Sequence, residues 1–240
     1  PPTLLGEMTM TTETMVDSSG NTVDKYSRLG YTTPMPSIVV TRDDNGNSEW
    51  FLVFGNGPTT VKGQNDEQGK LAIYPLNSLT GVNWKTGDGT VNYSDIKPFR
   101  IPNESPTSSA SIPYAGRLMI EADSAGGIES FVGDIVTVDY DLSSSGSSGK
   151  GIPYKSDAVY FGTTDGTDFT GSTPAWNGGG RLFRLVTKSY DATTGEQAYT
   201  YPDQWELKKL IDAQAPITAA PNIGYDPVNY WIYFGTGRFY

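Results

Sequence analysis

The chain of 240 residues contains 28 Gly, 16 Pro, 15 Tyr, 9 Phe and 5 Trp, with no His and no Cys. Those two absences exclude histidine-based triads, cysteine nucleophiles, disulfides, thiolate zinc sites and haem held by His. A net charge of −10 repels phosphate backbones and anionic lipid surfaces, so nucleic acid is not expected as a partner, and no apolar run is long enough for a membrane span.

The apolar runs are short, β-branched or aromatic, and closed by Gly, Asn, Asp or Pro. In chain order, strands are predicted at 37–40, 50–54, 71–76, 131–138, 158–162, 181–187 and 231–235. Asp44-Asn45-Gly46-Asn47 predicts a tight hairpin turn, because Asn and Gly tolerate the positive φ such turns need. Residues 203–213 fit a helix face through Trp205, Leu207, Leu210 and Ile211, but they also alternate, and the strand is preferred. Residues 143–151 and 171–180 are rich in Gly and Ser and read as surface loops.

The chain repeats itself. Trp50-Phe51-Leu52-Val53-Phe54-Gly55-Asn56 returns as Ala158-Val159-Tyr160-Phe161-Gly162-Thr163, and again as Trp231-Ile232-Tyr233-Phe234-Gly235-Thr236. A Gly-started strand and a Thr-Gly turn follow the first copy at Gly69-Lys70-Leu71 and Thr80-Gly81, with Trp84 beyond. They follow the second copy at Gly180-Arg181-Leu182 and Thr194-Gly195. The inferred unit has four antiparallel strands with a glycine near the inner end, where neighbouring backbones crowd; that is the make-up of a β-propeller blade.

The expected fold is therefore all-β, an incomplete β-propeller of about three blade units with long loop insertions. The units fall at about 1–97, 98–200 and 201–240. Spacing between copies exceeds the ~40–50 residues of a blade, so 98–115 and 143–154 are read as insertions. Tyr240 falls in mid-blade and a ring needs at least four blades, so the chain is expected to be part of a larger propeller. A β-sandwich with similar strand endings is the competing architecture.

In order along the chain, several short motifs form a recognisable set. They are Leu29-Gly30-Tyr31-Thr32-Thr33-Pro34-Met35-Pro36, Phe54-Gly55-Asn56-Gly57, and Gly69-Lys70-Leu71 with Thr80-Gly81. Next come Val132-Gly133-Asp134, Val138-Asp139-Tyr140-Asp141 and Asp157-Ala158-Val159-Tyr160-Phe161-Gly162. Pro216-Ile217-Thr218-Ala219-Ala220-Pro221 and Phe234-Gly235-Thr236-Gly237-Arg238 close the series. Over residues 29–240 it resembles the C-terminal β-propeller of PilY-type proteins, the tip-associated adhesins and biogenesis factors of type IV pili. The resemblance implies an extracellular place at the pilus tip, associated with the outer membrane. It also implies minor pilins as partners, attachment to host or abiotic surfaces, no enzymatic activity, and a calcium loop.

Asp139-Tyr140-Asp141 is the sharpest chemical motif. Oxygens at i and i+2 converge when a loop curls around a cation, and Ca²⁺ takes six to eight of them. In the PilY-type loop, Asp139 and Asp141 match the first and third positions and Asp157 the last. Ser143 stands where a further carboxylate or amide belongs, and 142–156 is an insertion. Fewer charged ligands imply weak Ca²⁺ binding, about 10⁻⁴ M. Asp43, Asn45, Asn47 and Glu49 have similar spacing but lie at the predicted hairpin tip, where Asp and Asn are turn residues. Asp165-Gly166-Thr167-Asp168 likewise reads as a turn. Two enzymatic alternatives have some support. One is a glycoside hydrolase using two of Asp134, Asp139 and Asp157. The other is a quinoprotein-like propeller, in which Trp84 would brace blades. The C-terminal aromatics Tyr225, Tyr230, Trp231, Tyr233, Phe239 and Tyr240 are read as packing between blades.

Overall fold

The computed structural model describes residues 12–16, 22–26, 30–31, 34–42, 48–59, 63, 69–76, 117–119, 129–140, 155–165, 179–190, 197–199 and 205–237. Fourteen strands make up the described elements, so the all-β expectation holds. One four-stranded antiparallel sheet contains β3 (Ser37–Arg42), β4 (Ser48–Gly55), β5 (Lys70–Pro75) and β6 (Arg117–Met119), neighbours in chain order. A second contains β7 (Ser130–Val138), β8 (Ala158–Asp165), β9 (Arg181–Val186) and β12 (Glu206–Asp212), in the order β7-β8-β9-β12. Three hairpins complete the topology: β1 (Thr12–Val16) with β2 (Thr22–Tyr26), β10 (Lys188–Tyr190) with β11 (Gln197–Tyr199), and β13 (Asn222–Tyr225) with β14 (Tyr230–Tyr233).

Side-chain alternation explains the layering. In β4, Phe51 and Val53 are buried while Trp50 is exposed, as a half-covered strand requires. Every residue of β8 is buried, the mark of a strand covered on both faces. Val39, Phe51, Val53, Leu71 and Ile73 of the first sheet form one core with Ile135, Val159, Phe161, Phe183 and Leu185 of the second. Trp205 closes it, fully buried, with its ring edge-on to Phe51 at 5.5 Å. The far face of the second sheet packs Val138, Ala158 and Tyr160 against Ile223 and Ile232 of the β13–β14 hairpin. The molecule is thus a stack of first sheet, second sheet and hairpin.

The sequence repeat is also a repeat of layer contacts. Phe51 and Val53 precede Gly55 and face the second sheet; their counterparts Ala158 and Tyr160 precede Gly162 and face the hairpin. At each step the next layer crosses directly over the glycine. Val132 lies over Gly55 and donates its N–H to Asn56 O at 3.0 Å; Ile217 lies over Gly162 and donates to Thr163 O at 3.0 Å. A Cβ on Gly55 would sit 2.3 Å from Val132 Cβ, and one on Gly162 would sit 2.1 Å from Ile217 Cγ2. Only glycine permits this approach.

Several boundaries differ from expectation. The outer strands β6 and β12 lie at 117–119 and 206–212, past the expected unit limits at 97 and 200. The β10–β11 hairpin intervenes before β12, so the outer strand does not follow the Thr194-Gly195 turn directly. The 203–213 segment is a strand: it pairs with β9 from Glu206↔Val186 to Asp212↔Arg181, with a bulge at Lys209/Ile211. β14 stops at Tyr233 rather than Gly235. Its last partner is Asn222, and Pro221 beyond has no N–H to extend the ladder. β3 ends at Arg42 and β4 starts at Ser48; the predicted turn at 44–47 lies outside the described residues, as do Trp84 and the loops 143–151 and 171–178. β1, β2, β6, β10 and β11 had no clear signal in the sequence.

Gly55→Ala and Gly162→Ala each force a methyl into an occupied contact and are expected to cost about 1–3 kcal/mol. At this size that is a fall of roughly 2–4 °C in melting temperature per kcal/mol. Gly235→Ala, whose Cβ meets nothing within 4 Å, is expected to stay within about 0.5 kcal/mol of wild type. Thermal melts of the three variants check the ranking.

Candidate functional site

Two of the predicted metal residues, Asp139 and Asp157, are described, and they flank one end of the second sheet. β7 ends at Val138 and β8 begins at Ala158, and the two are paired. Asp139 and Asp157 therefore flank the same sheet end, and Asp157 N donates to Val138 O at 2.7 Å. Thr187 N, at the end of β9, donates to Asp157 O at 3.2 Å. Three strand ends thus fix the Asp157 backbone, and its side chain is buried. Asp141 and Ser143 lie outside the described residues.

Both carboxylate oxygens of Asp157 have protein partners. Oδ2 accepts the Tyr140 N–H at 2.6 Å, and Oδ1 meets Lys188 Nζ at 2.5 Å. Lys188, at the start of β10, is almost as buried as its partner. The sequence reading missed it, since it stands 31 residues away and only the register of β8 with β9 brings it close. As it stands, this arrangement fits an ammonium rather than a divalent cation: Ca²⁺ at Asp157 would have to displace Lys188. Among the described residues no group of three or more Asp or Glu converges as metal ligands.

Residues 155–157 also fasten the two sheets together. Ser156 N donates to Val40 O at 2.7 Å, and Val40 N donates to Ser156 Oγ at 3.0 Å. Lys155 Nζ donates to Ser48 Oγ, and Thr187 Oγ1 donates to Ser156 O, both at 2.5 Å. The carboxylate of Asp157 and the clasp on β3 are therefore parts of one buried polar seam.

Beside it lies a tyrosine cluster that the sequence did not single out as a cluster. Tyr140 and Tyr160 join through their hydroxyls. Tyr230 of the hairpin donates its hydroxyl to Tyr140 O at 2.7 Å, and its ring stands edge-on to Tyr140 at 4.6 Å. Burial, followed by the Tyr160 hydroxyl bond, raises the Tyr140 phenol well above the usual tyrosine range.

The remaining acidic candidates have other roles. Asp134 sits in the middle of β7, at its register irregularity, where its Oδ1 accepts Met35 N at 2.9 Å and its own N–H donates to Thr218 O at 3.0 Å. Asp139 lies five positions further along the chain, about 16 Å of backbone at ~3.3 Å per residue. That exceeds the roughly 5–9.5 Å between the carboxylates of a glycosidase pair. Of the predicted turn at 165–168, only Asp165 lies among the described residues. It ends β8, buried, and forks onto Arg181 with Nε–Oδ2 at 2.6 Å and Nη2–Oδ1 at 3.0 Å, while Thr163 Oγ1 donates to Oδ1 at 2.7 Å. Arg181 lies over the Phe183 ring at 5.3 Å. This network braces Thr163, whose carbonyl holds Ile217. Of the hairpin-tip set, Asp43, Asn45 and Asn47 lie outside the described residues, and Glu49 belongs to β4.

Asp157→Asn leaves the Lys188 ammonium without its buried counter-charge and is expected to lose about 3–5 kcal/mol. Pairing it with Lys188→Met should recover most of that loss, as chemical denaturation of the single and double variants will measure. Alkaline stability carries a second signature. Because the folded Tyr140 holds its proton above the unfolded pKa of about 10, its contribution is complete below that pH and lost as pH rises further. The melting temperature should fall more steeply above about pH 10 in wild type than in Tyr140→Phe. Compared with protein-family models, curated proteins and solved structures, the chain matches none.

Proposed function

We propose that this chain is part of a non-enzymatic, extracellular β-propeller of the PilY type, working at the tip of type IV pili in pilus assembly and surface attachment. One observation carries the reading: the same docking step is taken twice, Val132 over Gly55 and Ile217 over Gly162. Successive antiparallel layers, here two four-stranded sheets and the β13–β14 hairpin, that meet at a glycine near the inner strand end fit the blades of a propeller. The ordered motif series supplies the link to pili, and the acidic, His-free and Cys-free composition agrees with a scaffold rather than a catalyst.

In this reading the surface exposed by the layers, rather than a cleft, does the work. Minor pilins are the expected protein partners and a host or abiotic surface the expected target. The carboxylates favour the scaffold over the glycosidase, since Asp157 is held by Lys188 and Asp134 stands about 16 Å of backbone from Asp139. Calcium, if it enters at Asp139 and Asp157, competes with Lys188. Substitution of that lysine is then expected to tighten Ca²⁺ binding, and Asp157→Ala to abolish it.

Biolayer interferometry of the purified protein against an assembled type IV minor-pilin complex tests the function. Saturable binding, unchanged by Asp134→Asn, is the expected result. Absence of binding together with turnover of a glycoside panel would replace the scaffold by the hydrolase. Calorimetric titration of Ca²⁺ into wild type, Asp157→Ala and Lys188→Ala reads the cation separately.

A further inference from the structure

The first sheet and the β13–β14 hairpin pack on opposite faces of the second sheet. The polar bonds that hold them nevertheless converge on two neighbouring strand ends, the start of β8 and the end of β7. Ser156 takes both partners from β3: its N–H donates to Val40 O at 2.7 Å, and its Oγ accepts the Val40 N–H at 3.0 Å. The next residue turns to the other strand end. Asp157 N–H donates to Val138 O at 2.7 Å, and its Oδ2 accepts the Tyr140 N–H at 2.6 Å. The carbonyl of that same Tyr140 accepts the Tyr230 hydroxyl of β14 at 2.7 Å. From β3 to β14 the path therefore runs through Ser156, Asp157 and Tyr140, each of which bonds the next layer or the next residue of the path.

Each link is held stiffly from the side. The Asp157 carboxylate is buried and cannot swing freely, because Lys188 Nζ holds Oδ1 at 2.5 Å, while the Thr187 N–H holds its carbonyl at 3.2 Å. Tyr140 is fixed by its side chain as well: its hydroxyl bonds that of Tyr160, and its ring stands edge-on to Tyr230 at 4.6 Å. Tyr230 in turn leans on Tyr225, with ring centroids 4.6 Å apart. In such a partly buried chain, a group that loses its partner is left unsatisfied unless its neighbours move with it. A displacement at one end is then taken up by the next link rather than by solvent.

We propose that Ser156, Asp157 and Tyr140 form a relay that couples the two layer interfaces, so that loosening the hairpin loosens the clasp on β3, and the reverse. The coupling is reciprocal, as equilibrium linkage between two sites must be. It needs neither the pilus reading nor a bound cation, since every link is a bond between residues of this chain.

Amide hydrogen exchange followed residue by residue by NMR tests it with two mild variants. Tyr230→Phe removes one hydroxyl from the hairpin and keeps the ring. Ser156→Ala removes one hydroxyl from the clasp and keeps the backbone. Tyr230→Phe is expected to speed exchange of the β13–β14 ladder by about tenfold, and of the Tyr140 and Val40 N–H groups by at least about fivefold. Ser156→Ala is expected to release the Val40 N–H and, at a distance, to speed the Tyr140 N–H and the β13–β14 ladder by a similar factor. The Val132 N–H, which joins the same two sheets at the glycine end, is expected to keep its wild-type rate in both variants. Faster exchange confined to the altered interface overturns the proposal. So does transmission in one direction only, or a uniform loss of protection that includes Val132, which is global destabilisation.

Discussion

Where β4 and β8 end, a neighbouring segment passes so close that an added methyl group meets it. This contact decides how the layers are spaced and which way they advance. With Val132 and Ile217 set over Gly55 and Gly162, the side chains two and four residues earlier in each strand are carried against the next layer. Hydrophobic burial between layers then follows from the placement of two glycines. The hydrogen bonds to Asn56 O and Thr163 O fix the sliding coordinate that apolar packing leaves free. The Asp165–Arg181 fork and Thr163 stiffen one of these strand ends from beneath.

At the other end of the sheets, polar groups do the fastening. Lys155, Ser156 and Asp157 tie β3 and β4 to the ends of β7, β8 and β9 through buried bonds. A buried ion pair adds little net stability against an apolar substitute, yet it is costly to break on one side. Its contribution here is positional: Lys188 fixes where Asp157 points, and Tyr140 N–H fixes the start of the connection that leaves β7. One seam is therefore apolar and shape-determined, the other polar and direction-determined, and together they leave little freedom between the two sheets.

Much of this was written locally in the sequence. Short β-branched or aromatic runs closed by turn residues mark β3, β4, β5, β7, β8 and β9, because both signals are local. The Phe-Gly repeat marks the layer contacts at Gly55 and Gly162, since a close approach demands glycine at one fixed position. The strands β1, β2, β6, β10 and β11 are three to five residues long, too short for a period of two to stand out. The ion pair of Asp157 is hidden from the sequence for a different reason. A carboxylate at a loop end looks alike whether it will meet a cation or an ammonium, and Lys188 reaches it only through the pairing of β8 with β9. Asp165 read as a turn residue because Asp-Gly is a local signal, whereas its partnership with Arg181 spans 16 residues.

Residues 140 and 155–157 give the connection between β7 and β8 a pinned departure and a pinned return. For a segment whose two ends are held by the rest of the fold, added length is penalised only logarithmically, about 0.6 kcal/mol per doubling. The stretch 141–154 is therefore a natural insertion point for foreign sequence. The number of residues between Tyr140 and Lys155 can change at small thermodynamic cost; what each end holds cannot.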